Sequence, residues 1–253
     1  MRRTGMLLAV LALMVAGMAC AQDEGTPEAT DADELSLAFA DVEEAVEGNV
    51  ATLTVDVTGL EIVAADGDTS GDTGHLHFFI DREPIDEGEV VPKEAGIVHS
   101  ADNPTTLYGL SVGEHEVTVV AGDGAHERIG DAEDSVTIEV EGPSVDATAP
   151  ATLDEGDDLE IELVSEGVEI VAADGDESGE SGHYHVLVDP KSPPKAGELI
   201  PEPKEGEIYH SAEDSVTIEG LEEGEHTIFV VLGDGKHMAF DPAVMDKLTV
   251  TVS

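Results

Sequence analysis

Residues 74–81 read GHLHFFID, and the chain writes the same thing again at 182–189 as GHYHVLVD. In each stretch two histidines one residue apart head a short apolar run that closes on aspartate. The run is too short for a helix with a core-facing stripe and is rich in aromatic and β-branched residues, so it reads as a strand. In a strand, residues i and i+2 share a face. His75 and His77 therefore project together, roughly 7 Å apart at their Cα atoms, and so do His183 and His185.

The repetition extends outward. Ser36 to Asp81 aligns without gaps on Ser144 to Asp189, and Pro92 to Asp131 aligns on Pro203 to Pro242. The loop between these blocks, residues 82–91 against 190–202, is three residues longer in the second copy and does not align. Each copy is about 110 residues, enough to bury its own core. The domain reading is one repeat over 35–141 and a second over 142–253.

Within the first copy, VATLTVDV (50–57), EIVAA (61–65), HLHFFI (75–80), GIVHS (96–100), TTLYGL (105–110), HEVTVVAG (115–122) and SVTIEV (135–140) read as strands. Gly, Asp, Asn and Pro fill the gaps between them, and no segment of helical period exceeds two turns. Seven or so strands in a domain of this size predict an all-β fold: two tandem immunoglobulin-like antiparallel β-sandwiches. VGEHEVTVV (112–120) and EGEHTIFVV (223–231) resemble the Gly-x-Tyr turn that opens the sixth strand of many such domains, with histidine in the tyrosine position.

The first nineteen residues carry Arg2 and Arg3, then an apolar run from Met6 to Val15, then small residues up to Cys20. This pattern predicts a signal peptide over 1–19. AGMAC (16–20) resembles a bacterial lipoprotein signal, which implies lipidation of Cys20. The other reading is ordinary secretion with a leftover cysteine. With lipidation, the mature chain keeps no thiol for disulfides, cysteine–metal sites or nucleophilic catalysis. Residues 20–34 form an acidic linker, and attachment to the membrane is through lipid only. The expected location is the bacterial cell envelope, as an outer-membrane lipoprotein.

The formal net charge is −48, from 58 acidic against 10 basic residues, and aromatics are 3%. A surface this acidic repels phosphate-rich partners and excludes nucleic acid. The acids are spread along the whole chain, which favours adaptation to salty surroundings over a dedicated calcium sink.

All ten histidines fall in the repeats, five in each at matching positions: His75, His77, His99, His115 and His126 pair with His183, His185, His210, His226 and His237. The lysines offer a contrast, since only Lys93 and Lys204 correspond. With HLHFFI as third strand, GIVHS as fourth and HEVTVVAG as sixth, the sandwich brings His75, His77, His99 and His126 to one pole and sends His115 to the other. Four neutral imidazoles without sulfur suit Zn²⁺, Cu²⁺ or Ni²⁺, so His75, His77, His99, His126, His183, His185, His210 and His237 are the candidate metal ligands, with Zn or Cu as the cofactor. His115 and His226 read as structural corner residues. The competing reading is that the histidines cap loops in a structural or adhesive surface module.

A second pattern precedes the same strand. DGDTSGDTG (66–74) and DGDESGESG (174–182) share D-x-D-x-S-G, the first half of a calcium loop, with Asp66, Asp68, Ser70 and Gly71 in the first copy and Asp174 and Asp176 in the second. The closing glutamate is missing, because His77 or His185 stands at the twelfth position. A solvated acidic loop is the alternative to calcium.

G-H-x-H-x-x-x-D, then I-x-H, G-x-H-T, and G-D-x-x-H with D-P-x-V-M make the chain similar to an uncharacterised bacterial family, domain of unknown function 4399. The second copy carries the pattern best, in GHYHVLVD, IYHS, GEHTIFVVLGDGKH and DPAVM. The resemblance covers both copies. The family pattern has a three-histidine run and a histidine before the D-P, whereas this chain has Leu76 or Tyr184 in the middle and Phe240 before Asp241. It implies no activity. H-x-H on a sandwich strand is also how copper-zinc superoxide dismutase presents copper ligands, but its disulfide has no counterpart here and Arg82 and Arg128 do not recur in the second copy. H-x-H with a third histidine also matches zinc hydratases, which sit on a different fold. No nucleophile motif or phosphate loop is present. The expectation is a metal-binding protein and not an enzyme, with its protein partner unassigned.

Overall fold

The computed structural model describes residues 34–43 and 45–253; the expected signal peptide, Cys20 and nearly all of the acidic linker lie outside the described residues. In the first repeat the strands are β1 (Ser36–Ala40), β2 (Ala45–Glu47), β3 (Ala51–Thr58), β4 (Glu61–Ile62) and β5 (Thr73–Ile80). They are followed by β6 (Ile97–Ser100), β7 (Thr105–Leu107), β8 (Gly113–Gly122) and β9 (Arg128–Glu141). The second repeat matches element for element. It opens with β10 (Ser144–Thr148), β11 (Thr152–Leu153), β12 (Leu159–Glu166), β13 (Glu169–Ile170) and β14 (Ser181–Val188). It continues with β15 (Ile208–Ser211), β16 (Ser215–Ile218), β17 (Gly224–Gly233) and β18 (Met245–Val252). No helix occurs among the described residues.

Each repeat is a sandwich of unequal sheets. Three strands, β1-β3-β7, face six, β2-β9-β8-β5-β4 with β6 also on β5; β10-β12-β16 and β11-β18-β17-β14-β13 with β15 repeat this order. The long ladders are antiparallel, as expected. The short pairs β2–β9, β4–β5, β11–β18 and β13–β14 are parallel, so the larger sheets are mixed. SLAFA (36–40) and AVE (45–47) are strands that the sequence reading did not single out. Both are short elements whose few residues give little period to detect.

The decisive strands β5 and β14 are buried on both faces, and this explains their near-continuous apolar character. On the inner face, Leu76 and Phe78 pack with Leu53, Val55 and Leu107 of the small sheet. On the outer face, Phe79 packs with Val91, Ile97 and Val120, and Ile85 covers them from the β5–β6 loop. Burying Phe78 and Phe79 contributes about 1.5–3 kcal/mol each. Alternation puts His75 and His77 on this outer face with Phe79.

The structure corrects the alignment in that loop. Gly88, Glu89, Val91 and Pro92 make the same bonds as Gly197, Glu198, Ile200 and Pro201. Gly88 N donates to the Arg128 carbonyl and Gly197 N to that of Ala239; Val91 N donates to the His126 carbonyl and Ile200 N to that of His237. Pro92 therefore corresponds to Pro201, not Pro203, and GEVVP (88–92) recurs as GELIP (197–201). One extra residue of the second copy precedes this motif and two follow it.

The repeats lie within one compact unit. Tyr108 meets Phe229 edge to face at 5.4 Å between ring centroids, and Val50 and Tyr108 complete the outer core of the second repeat. Asn49, fully buried, ties the junction: its Nδ2 donates to the Val145 carbonyl at 2.8 Å and its Oδ1 accepts from Met245 N at 2.8 Å. Asn49→Ala leaves both buried groups without partners and is expected to cost about 2–4 kcal/mol. Urea denaturation in high salt reads this; a loss under 0.5 kcal/mol would show that water replaces the side chain.

Candidate metal centres

Three elements bring the first site together. β5 supplies His75 and His77, β6 supplies His99 at the pair position opposite His77, and the β8–β9 loop supplies His126. The second site takes His183 and His185 from β14, His210 from β15 opposite His185, and His237 from the β17–β18 loop. In each set one nitrogen per ring lies within 4.8 Å of every other, and these are the two sets of three or more such groups among the described residues. The four histidines gather at one end of the sandwich, as the strand order predicts. The sequence reading did not place them on the outer face of the large sheet, beside the β5–β6 loop.

The distances match a shared centre. In the first site His126 Nδ1 lies 2.9 Å from His75 Nε2, 3.4 Å from His77 Nε2 and 3.1 Å from His99 Nδ1. In the second, His237 Nδ1 lies 3.1 Å from His183 Nε2 and 3.1 Å from His185 Nε2. Four nitrogens each about 2.0–2.1 Å from a tetrahedral ion would stand about 3.3–3.4 Å apart.

Hydrogen bonding among the rings cannot account for this packing. His99 Nε2–H donates to the Pro92 carbonyl at 3.1 Å, which leaves Nδ1 of the neutral ring with a lone pair. His126 Nδ1 carries either one hydrogen or one lone pair, yet it meets three ring nitrogens. If it donates to His99, it cannot accept from His75; if it accepts from His75, it faces His99 lone pair to lone pair. A single cation at the centre would take all four lone pairs at once.

The electrostatics favour neutral rings. His75 and His183 are depressed to about 4, mainly by burial and then by neighbouring imidazoles. His77 and His185 are fully buried and depressed to about 2, again by burial first and the other rings after it. Burial also lowers His99, His126 and His210. The surrounding charge differs between sites: Lys93 opposes the charged forms of His99 and His126, whereas Glu202 favours that of His210.

Residues that the sequence reading did not pick out shape the site. The Pro92 and Pro201 carbonyls accept from His99 and His210, each at 3.1 Å, and so orient the rings. The recurrence of Pro in GEVVP and GELIP is the signal that could have found them. Gly122 and Gly233 leave room for the ring edges of His77 and His185 against the neighbouring strand: a Cβ on Gly122 would stand 2.7 Å from His77 Nδ1, and one on Gly233 2.9 Å from His185 Nδ1. The Nδ1 atoms of His75, His77, His183 and His185 are buried without a hydrogen-bond partner. With Nε2 on a cation these nitrogens bear the ring hydrogen, so they lack the usual outer acceptor.

His115 and His226 stand apart, as expected. His115 Nδ1 meets Asp81 Oδ2 at 2.6 Å and its Nε2 meets the Ser111 carbonyl at 2.8 Å. His226 makes the same pair of bonds to Asp189, at 2.7 Å, and to Glu222, at 2.8 Å. The Glu222 carbonyl, followed by the Asp189 carboxylate, raises the His226 pKa against the opposing effect of burial. These rings tie the end of one strand to the start of another. The aspartates of D-x-D-x-S-G spend their carboxylates inside the loop. Asp68 accepts from Ser70 N, Ser70 Oγ and Thr73 Oγ1, and Asp176 accepts from Ser178 N, Ser178 Oγ and Ser181 Oγ.

A family model described as "Domain of unknown function (DUF4399)" matches residues 52–141 and 161–253. No curated protein matches the chain. Among solved structures, fibronectin(III)-like modules of CbhA from Clostridium thermocellum are 15% identical, with 86% of this chain and 94% of that one covered at a TM-score of 0.28. A putative membrane-anchored protein from Corynebacterium diphtheriae is 15% identical, with 86% and 53% covered at 0.26. A tetra-tandem repeat from a large adhesion protein is 14% identical, with 88% and 50% covered at 0.23.

Proposed function

This chain belongs to the DUF4399 family, whose description names no activity, and we propose that each of its two repeats binds one transition-metal ion, zinc or copper, through four histidines. The observation that carries this reading is the convergence in each repeat of four ring nitrogens within 4.8 Å of one another, which in the first site no set of two-centre hydrogen bonds among neutral rings satisfies. Catalytic zinc sites keep an open position beside three protein ligands, whereas four imidazoles fill a tetrahedron. That favours binding or buffering of the ion over catalysis. Together with the signal pattern and Cys20, it gives a metal-binding lipoprotein of the bacterial envelope.

Metal per chain is the direct test. The full chain, purified in high salt and detergent, is stripped with chelator, dialysed against limiting zinc and copper, and assayed by elemental mass spectrometry. The expected content is two equivalents, falling to one in His75→Ala/His77→Ala and to none when His183→Ala/His185→Ala are added. A wild-type chain that returns from dialysis without metal would assign the histidines to the scaffold of a structural or adhesive module.

A further inference from the structure

The fourth ligand of each site stands on a strained loop. His126 and His237 have φ of 64° and 66°, in the left-handed region that a residue with a Cβ enters only at an energetic cost. Something must hold them there. Part of the answer is local. Asp123 Oδ1 accepts from Ala125 N at 2.8 Å and Glu127 N at 2.9 Å, wrapping the chain around the histidine between them. Asp234 Oδ1 does the same for Lys236 N and Met238 N, at 2.8 and 2.9 Å.

The remainder comes from the D-x-D-x-S-G loop. Gly67 N donates to the Gly124 carbonyl at 2.9 Å, and Gly124 N donates back to the Asp68 carbonyl at 2.7 Å. In the second repeat Gly175 N donates to Gly235 at 3.0 Å, and Gly235 N donates to Asp176 at 2.8 Å. The two loops are thus joined by a reciprocal pair of backbone bonds two residues from the metal-facing ring. The approach is close enough to require glycine. A Cβ on Gly124 would stand 2.5 Å from Asp68 N and 2.6 Å from Asp66 Oδ1, and one on Gly235 would stand 2.5 Å from both Asp176 N and Asp174 Oδ1. The acidic loop is itself pre-formed. Asp66 Oδ1 accepts from Asp68 N at 2.9 Å, and the Asp68 carboxylate gathers Ser70 and Thr73.

We propose that the D-x-D-x-S-G loop is a clamp that positions the fourth histidine, with Asp68 and Gly124 in the first repeat and Asp176 and Gly235 in the second as positioning residues that set metal affinity. The proposal rests on the metal reading of the histidine clusters. It also gives the aspartates a role inside the loop that needs no calcium. Acidic charge beside the cluster serves the same end: four neutral imidazoles leave the ion its whole charge, and Asp123 lies close enough to act on both His75 and His126.

Cobalt(II) is the probe, because its ligand-field absorption reports both occupancy and the number of nitrogen ligands. The full chain carries His183→Ala/His185→Ala, so that the first site is read alone, and is titrated with Co²⁺ in high salt. Gly124→Ala and Asp68→Ala are each expected to weaken binding about 10–100-fold and to shift the band towards that of His126→Ala. Asp68→Asn keeps an acceptor for Ser70 N and is expected to recover most of the affinity, which a merely destabilised fold would not. Should Gly124→Ala fail to fold, the two Asp68 variants carry the comparison. Wild-type affinity and band shape in Asp68→Ala would overturn the clamp. Absence of any Co²⁺ band in the parent chain would instead overturn the metal reading beneath it.

Discussion

Metal loading is expected to raise the unfolding free energy at pH 7.5 by about 2.7 kcal/mol per site when free metal stands a hundredfold above Kd, and the metal-free chain is expected to lose stability as the pH falls from 6.5 to 5. The reason is the depressed basicity of the buried rings. Unfolded histidine takes its proton near 6.5, whereas folded His75 and His183 do so only near 4, and His77 and His185 near 2. Above pH 6.5 neither state binds a proton at these rings and they contribute nothing to pH dependence. Between 6.5 and 4 the unfolded chain binds protons that the folded chain refuses, so each ring withdraws up to about 1.4 kcal/mol of stability per pH unit. Stripped and loaded chains lose this part of the stability alike, because both keep His75, His77, His183 and His185 neutral when folded. Their difference, which also cancels the many carboxylates, is therefore unaffected by these four rings. Denaturant titrations of both forms at pH 7.5, 6 and 5, in high salt, measure it. An acid loss of stability in the stripped chain that is the same in His77→Ala would mean that this buried ring does not hold its proton below the usual range.

Gly122→Ala is expected to empty the first site and to destabilise its repeat by about 1–3 kcal/mol or more, an overpacking cost at a position with no room to yield. The added Cβ would fall within the edge of the His77 ring, a fully buried side chain on a strand that is itself buried on both faces. The ring must leave its position, and with it goes Nε2. The second repeat is the internal control: metal content should drop from two to one. Adding His77→Ala to Gly122→Ala removes the colliding ring, so the pair should be more stable than the two single losses added together predict, while the site remains empty. Two equivalents of metal in Gly122→Ala would show that the ring does not need its place against the strand. Gly233→Ala should act in the same way on His185, whose Nδ1 would stand 2.9 Å from the new carbon.

Much of this was legible in the sequence because the chain is written twice. Period-two alternation, turn residues and the five matched histidines gave the sandwich repeats and the grouping of His75, His77, His99 and His126 away from His115. The outer-face location was not legible. An apolar strand looks the same whether one sheet or a sheet and a loop covers it, and only Val91 and Ile85 packed on Phe79 tell the two apart. The loop register was missed because GEVVP and GELIP keep only Gly, Glu and Pro, and the prolines of the second copy offer a competing match at Pro203. The clamp was hidden for another reason. D-x-D-x-S-G suggests an ion, while the bonds that matter run from Gly67 and to the Asp68 carbonyl, which belong to the backbone and leave no side-chain signature.

The two-sided burial of β5 and β14 has a kinetic consequence. Two of the proposed ligands of each site ride on strands packed between the small sheet and the covering loop, and strands buried in this way are among the last parts of a fold to open. The other two proposed ligands are less buried, at a strand end and on a loop, and move only as far as the bonds that hold that loop give way. On the proposed metal reading, an ion would enter and leave from the loop side, at a rate set by local opening of the loop that carries His126 or His237. Exchange of the proposed ion would then call for local opening only, and not for unfolding of the repeat.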